Sequence, residues 1–457
     1  MGSQPTSGCH VVALPYPGRG HINPMMNLCK LLVSKKPDIL ITFVVTEEWL
    51  GFIGPEPKPA NVHFATVPNV LPSELHRAKN FPAFLEAIFT KLEAPVEQLL
   101  DRLELPVAAI IADTYLPWAV RVGKQRNIPV ATLWTTSASV FLVFHHFEML
   151  QQKGHFPVDL SERGEEEVDY IPGVARTRIA DLPTIFFGNQ RQLLLGKALE
   201  CIAGASKADY FLSTSFSELE PLALDAIRSQ LSVPAYCVGP TIPFLDGDGA
   251  GDAAYFRWLD AQPIGSVLYV SLGSFLSVSD AQMEEMAAGV RDSGVRFLWV
   301  ARGETSPVAG AREEGAAGLV VPWCEQLKVL CHPSVGGFWT HCGWNSALEA
   351  IYAGVPMLTC PLLMDQVPNS KQVAEDWKIG LRVKKEDGSG GGGGENLVTR
   401  QEIARLVKKL MDAESGEGRE MRKRARELRE ACRRAAARGG SSDRNLDAFI
   451  GDISRAE

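Results

Sequence analysis

Short apolar runs closed by Gly and Pro alternate along this chain with segments whose apolar positions recur every three or four residues. The first run, His10–Leu14, ends at Pro15, Pro17, Gly18 and Gly20. From Pro24 onward the spacing of Met25, Leu28, Leu31 and Leu32 predicts a helix. Runs at Ile39–Val45, Val107–Ala112 and Pro129–Trp134 predict strands, each followed by a loop or helix. The second half repeats this order. Ser266–Ser271 predicts a strand, and Ser279–Val290 predicts a helix opened by Ser279 and Gln282 at capping-box spacing. Arg296–Val300, Gly318–Pro322, Val335–Thr340 and Val355–Cys360 predict further buried strands. Strand followed by helix, repeated in this way, predicts an α/β fold of parallel sheets covered by helices. The Gly- and Asp-rich stretch Phe244–Ala254 reads as a linker between two such domains, and a ligand is expected in a cleft between them.

Composition narrows the class. With 457 residues, 46% apolar and 22% charged, the chain is long enough for two domains that each bury a substantial core. The net charge, 46 − 54 = −8, predisposes the surface neither to nucleic acid nor to anionic membrane. No apolar run reaches the roughly 18 residues of a membrane helix. The best candidate, Val130–Phe144, is interrupted by Thr132, Thr135, Thr136, Ser137 and Ser139. No basic stretch precedes an apolar core at the N-terminus, so no signal peptide is expected. Gly2 and Thr6 fit the short myristoylation pattern, and one acyl chain would anchor only marginally. The nine cysteines form no C-x-x-C pair, no His cluster has metal-ligand spacing, and no N-x-[ST] acceptor occurs. These features together point to a cytoplasmic protein with free thiols, most of them small buried apolar residues. Asp387–Glu395 reads as a flexible surface insertion. Arg419–Arg438 reads as a solvated helix, because glutamates interleave its arginines.

Two polar residues in the first half stand where chemistry would be placed. Gly18-Arg19-Gly20-His21-Ile22-Asn23 nearly matches G-x-G-x-x-G, but Asn23 replaces the third glycine and no acidic residue is well placed for a ribose. His21 is the more informative residue. Just before a helix start the dipole disfavours imidazolium, and a neutral imidazole is what a general base near neutral pH requires. Asp113 closes the strand Val107–Ala112, at the sheet edge where α/β sites lie; it could orient His21, or cap the helix Leu116–Lys124.

The segment Trp323–Gln366 spans 44 residues. Its strand Val335–Thr340 runs through His341-Cys342-Gly343-Trp344 into the helix Asn345–Ala353, whose N-terminal N–H groups suit a diphosphate. Gly343 allows close backbone approach, while His341, Asn345 and Ser346 add polar side chains. Glu349 can accept ribose hydroxyls, Trp323 offers an indole face to a base, and Asp365 and Gln366 offer a carboxylate and an amide to sugar hydroxyls. In length, in both end residues, and in HCGWNS followed by Glu and Gly-Val-Pro, this segment resembles the signature box of the plant secondary-product UDP-glycosyltransferases. Gly20–Pro24, Asp113, Leu133-Trp134-Thr135, Trp258-Leu259-Asp260, Ser266–Ser274 and Gly439–Ile450 extend the resemblance over nearly the whole chain.

The resemblance implies two Rossmann-like doubly wound domains facing across a cleft, of the GT-B type. Residues 1–243 would form an N-terminal acceptor-binding domain, 244–254 a linker, 255–435 a C-terminal UDP-sugar-binding domain, and 436–457 a C-terminal helix packing back on the first domain. It implies that His21 is the catalytic base, oriented by Asp113. In the donor site Trp323 would stack on uracil and the Cys324 backbone would bond its edge. Gln326 and Glu349 would bind ribose; His341, Asn345, Ser346 and Ser274 the diphosphate; Thr135, Trp344, Asp365 and Gln366 the sugar. The terminal Gln366 favours UDP-glucose as co-substrate. Cys324-Glu325 departs from the Ala-Pro common in the family, and Leu272 from the usual Phe. The implied activity is inverting transfer of glucose to a hydroxyl of a small lipophilic acceptor (phenolic, flavonoid, terpenoid or hormone-like), by a monomer without metal or other cofactor. A non-catalytic UDP-sugar-binding sensor and a nicotinamide dehydrogenase are the rival readings. The acceptor would lie among loops near Trp49, Phe81–Phe89, Ser137–Phe147 and Thr184–Phe187. His145, His146 and His332 are read as structural, and Trp299, Trp339 and Trp377 as core.

Overall fold

A computed structural model of the chain describes residues 9–187, 192–242, 253–273, 278–301, 318–383 and 397–455. Gly2, Thr6, Ser274, the greater part of the stretch 244–254, and Asp387–Glu395 lie outside the described residues. The chain divides into two compact units, Met1–Ile242 with Arg434–Glu457, and Pro243–Arg433.

The first unit contains strands β1 (His10–Leu14), β2 (Leu40–Thr46), β3 (Val62–Val67), β4 (Ala109–Asp113), β5 (Val130–Trp134), the short antiparallel pair β6 (Glu167–Val168) and β7 (Thr177–Arg178), β8 (Tyr210–Ser213) and β9 (Ala235–Cys237). Seven of these form a parallel sheet in the order β3-β2-β1-β4-β5-β8-β9. Side chains alternate across it as strand geometry requires. Val11 and Ala13 face a core with Met25, Leu28, Leu32 and Phe449; Val12 and Leu14 face one with Ile88, Val96 and Leu116. The last helix, Ser441–Ile453, belongs to this unit. Its apolar stripe Leu446, Phe449, Ile450 and Ile453 is buried in the first core, and burial of a side chain such as Phe449 stabilises by about 1.5–3 kcal/mol. Lys35 pins the same helix through Asp443 at 2.6 Å and Asp447 at 2.5 Å.

The second unit contains β10 (Val267–Ser271), β11 (Arg296–Val300), β12 (Gly318–Val321), β13 (Val335–Thr340), β14 (Met357–Thr359) and β15 (Gly380–Arg382). They form a six-stranded parallel sheet, β12-β11-β10-β13-β14-β15. Leu268 and Val270 pack against Met286, Ile403 and Leu410 on one face, which turns Tyr269 to the other. Ser279 caps the helix Asp280–Ser293 by accepting from the Gln282 N–H. The Gln282 side chain does not return to Ser279 as a capping box would; it exchanges hydrogen bonds with the Val398 backbone at 3.0 and 2.9 Å.

Both sheets are doubly wound. In each, strand order reverses beside the first strand of the unit, between β1 and β4 and between β10 and β13. Ligands of open α/β sheets bind at the carboxyl ends of strands at such reversals. No helix among the described residues is long and apolar enough to cross a membrane. All nine cysteines are free, seven of them buried.

Candidate active site

At the reversal in the first sheet, β1 delivers His21 and β4 delivers Asp113. The helix after β1 spans Arg19–Lys35, so it starts before Pro24, which lies inside it. His21 thus sits in the first turn of the helix and not in the loop ahead of it. Its Nδ1 stands 2.7 Å from Asp113 Oδ2, and Asp113 is fully buried. A carboxylate only accepts, so in the neutral imidazole this contact selects the tautomer with the proton on Nδ1 and the lone pair on Nε2. Thr135 Oγ1, just beyond β5, lies 3.0 Å from the same Nδ1. The other Asp113 oxygen accepts from the Tyr115 N–H at 2.9 Å. Asp113 does not cap a helix Leu116–Lys124: the helix there is Trp118–Gln125, with Pro117 before it. The His21 ring packs against Tyr16, at 4.8 Å between centroids, and edge-to-face with Tyr115, at 5.8 Å, and the two tyrosines also touch each other at 6.2 Å. Burial pushes the Tyr16 phenol far above its ordinary range. An apolar cavity lined by Leu14, Pro15, Ile22, Trp49, Leu92 and Leu116 lies at the carboxyl ends of β1–β3.

At the reversal in the second sheet, β13 ends in a tight turn. Cys342 adopts φ +64, a left-handed conformation uncommon for a residue with a side chain. The turn is held from both sides, because the Cys342 N–H donates to Thr340 Oγ1 at 3.0 Å and its carbonyl accepts from Asn369 Nδ2 at 3.1 Å. The helix Trp344–Ala353 follows, and Gly343 at its N-cap supplies no side-chain cap. The His341 ring packs against two glycines: a Cβ on Gly273 would stand 2.7 Å from the ring, and one on Gly343 2.5 Å from Nε2. Burial pulls the His341 imidazole down to about 4, with the Ser271 backbone opposing, so the ring is neutral near pH 7. Asn345 and Ser346 lie in the first turn of the helix.

Gln326, Ser346 and Glu349 form one network. Gln326 Nε2 donates to Glu349 Oε2 at 2.7 Å and to Ser346 Oγ at 3.0 Å. Tyr269 donates to Gln326 Oε1 at 3.2 Å and its hydroxyl lies 3.3 Å from Cys324 Sγ. Both ends of the Gln326 amide are therefore assigned partners, and Glu349 is oriented by it. Burial pushes the Glu349 carboxyl up to about 7, with the Gln326 hydrogen bond opposing. Trp323 is 67% exposed, unusual for an indole, whereas the Trp344 ring is buried 6.3 Å from Trp377. The expectation that Trp377 is core does not hold in full, since it is only part-buried; Trp299 and Trp339 are fully buried. Asn369 donates to Asp365 at 2.9 Å, and Gln366 Oε1 accepts from the Leu362 and Leu363 N–H groups, which turns its amide Nε2 outward from that loop.

His332 is held by Ser334 and Asp260, His146 by Gln230, and His145 stacks on Phe141, so all three are structurally engaged. Sequence reasoning overlooked Tyr269 and Asn369. A tyrosine inside a buried strand signals a hydroxyl that needs a partner, and Asn369 stands four residues after Asp365, on the same helix face.

Two doubly wound α/β units of this kind, each with polar side chains gathered at its strand-order reversal, are the fold of the GT-B glycosyltransferases. The family described as "UDP-glucoronosyl and UDP-glucosyl transferase" matches residues 257–387. UDP-glycosyltransferase 87A2 of Arabidopsis thaliana is 53% identical over 455 residues, covering 99% of this chain and 98% of its own. UDP-glycosyltransferase 87A1 of the same plant is 52% identical over 446 residues, with 97% and 100% covered. Among solved structures, Phytolacca americana UGT2 with UDP-2fluoro-glucose and pterostilbene is similar at TM-score 0.82 and 29% identity, over 98% of this chain and 100% of that one. Os79 of O. sativa with U2F and trichothecene is similar at TM-score 0.83 and 28% identity, over 97% and 100%. The chain belongs to the plant UDP-glycosyltransferases and is a glycosyltransferase.

Proposed function

We propose that this enzyme transfers glucose from UDP-glucose, with inversion, to a hydroxyl of a small lipophilic acceptor. His21 Nε2 takes the acceptor proton as the oxygen attacks the anomeric carbon and UDP leaves. Asp113 holds the imidazole tautomer and stabilises the imidazolium that forms. Charge developing on the diphosphate is met by N–H groups of the helix Trp344–Ala353 with His341, Asn345 and Ser346, a set of donors oriented before reaction. Trp323 stacks on uracil with the Cys324 backbone at its edge, Glu349 held by Gln326 accepts ribose hydroxyls, and Asp365, Gln366 and Thr135 bind the sugar. Ser274 adds a diphosphate contact, as the family resemblance implies.

The observation that carries the reading is the 2.7 Å contact from His21 Nδ1 to a fully buried Asp113. Pterostilbene and a trichothecene, bound in the two similar structures, support a small organic acceptor. The test is incubation of the purified protein with UDP-glucose and a mixed panel of phenols and terpenoid alcohols, read by mass spectrometry. A hexosylated product with inverted anomeric configuration is expected. UDP-glucose that binds tightly but is transferred to no member of the panel would count against the reading.

A further inference from the structure

Glu220 lies far along the chain from the site and is 95% buried, with a relative exposure of 5%. Its carboxylate accepts hydrogen bonds from Ala138, Ser139 and Ser215. Oε2 takes the Ala138 N–H at 2.9 Å and the Ser215 hydroxyl at 2.6 Å; Oε1 takes the Ser139 N–H at 3.0 Å and the Ser139 hydroxyl at 2.9 Å. Three of these bonds come from the first turn of the helix Ala138–His145. A buried carboxylate is tolerated when its oxygens are saturated in this way, and the helix N-terminus adds a favourable dipole.

The loop just ahead of that helix contains Thr135. It is tied down at each side of the threonine: the Trp134 carbonyl accepts from the Thr214 N–H at 3.1 Å, and the Ser137 carbonyl accepts from the Trp134 indole N–H at 2.8 Å. Ser137 Oγ then accepts from the Val140 N–H at 3.2 Å. Glu220 fixes the far end of this segment by gripping Ala138 and Ser139. Thr135 Oγ1 is thereby held 3.0 Å from His21 Nδ1, inside the pair that orients the base.

We propose that Glu220 is a positioning residue for the transfer reaction: by anchoring the start of the helix Ala138–His145 it sets the place of Thr135 against the His21 imidazole. This rests on the reading of His21 as base. Glu220→Gln keeps the shape but puts an amino group against an N–H or O–H donor whichever way the amide turns, so the helix start must shift.

The decisive readout is the His21 ring itself, which needs no acceptor. The full chain is labelled with ¹⁵N-histidine, and the His21 Nδ1 resonance is assigned by its loss in His21→Ala. Thr135→Val is expected to shift that resonance. Glu220→Gln is expected to shift it as well, and the double variant is expected to show no more than the Thr135→Val shift. Ser139→Ala, which removes one of the helix-side bonds to the same carboxylate, serves as the milder variant and decides the matter in the same way if Glu220→Gln does not fold. A folded Glu220→Gln or Ser139→Ala protein with a lowered Tm and an unmoved His21 signal would show a merely structural anchor and overturn the proposal. Turnover with UDP-glucose is expected to fall about 10-fold in Glu220→Gln, in line with the sensitivity of reactions to small misplacements. If the His21 signal moves as expected while His21→Ala retains full turnover, the positioning stands and it is the reading of His21 as base that fails.

Discussion

His21 Nδ1 and Asp113 Oδ2 meet at 2.7 Å although 92 residues separate them, and the same aspartate holds the Tyr115 N–H with its second oxygen. One carboxylate thus fixes both the tautomer of the imidazole and the backbone leading to the next helix. His21→Ala is expected to lower turnover by about 10²–10⁴-fold, the usual cost of losing a general base. Asp113→Asn keeps the shape and the Tyr115 contact but places an amide against Nδ1, so turnover falls while UDP binding is retained. Steady-state kinetics alongside UDP calorimetry separates the two effects, and wild-type turnover in His21→Ala would refute the assignment.

With Glu349 as the proposed ribose acceptor, donor binding is expected to depend on pH. The Glu349 carboxyl titrates at about 7 because burial disfavours the charged form, whereas His341, at about 4, is neutral throughout the same range. A carboxylate accepts ribose hydroxyls better than the neutral acid, so UDP-glucose affinity is expected to rise with pH through about 7 and to flatten in Glu349→Gln. Stability runs the other way. The folded carboxyl holds its proton above the ordinary value of 4.5, so its contribution is full below that value and is lost as pH rises toward about 7. Calorimetric titration of UDP-glucose and thermal melts across this range test both signs.

Gly343 and Gly273 both confine the His341 ring. A Cβ at Gly343 would stand 2.5 Å from Nε2, and Gly273 combines a 2.7 Å contact with φ +82. Gly343→Ala must displace the ring, an overpacking that costs about 1–3 kcal/mol. UDP affinity is expected to fall with it, while Gly20→Ala, which meets nothing within 4 Å, is the control for a glycine substitution that adds no clash in the fold.

Trp323 is expected to contribute to binding and not to folding. It is 67% exposed, so Trp323→Ala should change stability by no more than about 0.5 kcal/mol. Stacking of a base on an aromatic ring contributes about 1–3 kcal/mol, and UDP should bind more weakly by that amount. Equal UDP affinity in the variant would remove Trp323 from the donor site.

Much of the architecture was legible in the residues themselves. The strands His10–Leu14, Arg296–Val300 and Val335–Thr340 match the apolar runs residue for residue, because burial on both faces leaves a continuous signal. Less was legible where the signal is short or mixed. The edge strands Ala235–Cys237 and Gly380–Arg382 have three residues each and carry no run that stands out. Pro24 reads as a helix start by its φ, yet it lies inside a helix that begins at Arg19.

By itself the sequence determined the alternation of strand and helix and the residue types at each strand end, since both are written in local periodicity and spacing. Only the tertiary structure decided which strands are neighbours. Pairing of β1 with β4 brings His21 to Asp113, and pairing of β10 with β13 brings Gly273 to His341. It also decided that the Gln326 amide is held by Tyr269 and spends both its N–H groups on Ser346 and Glu349. Strand order and amide orientation depend on contacts between residues distant in the chain, and local spacing carries no record of them.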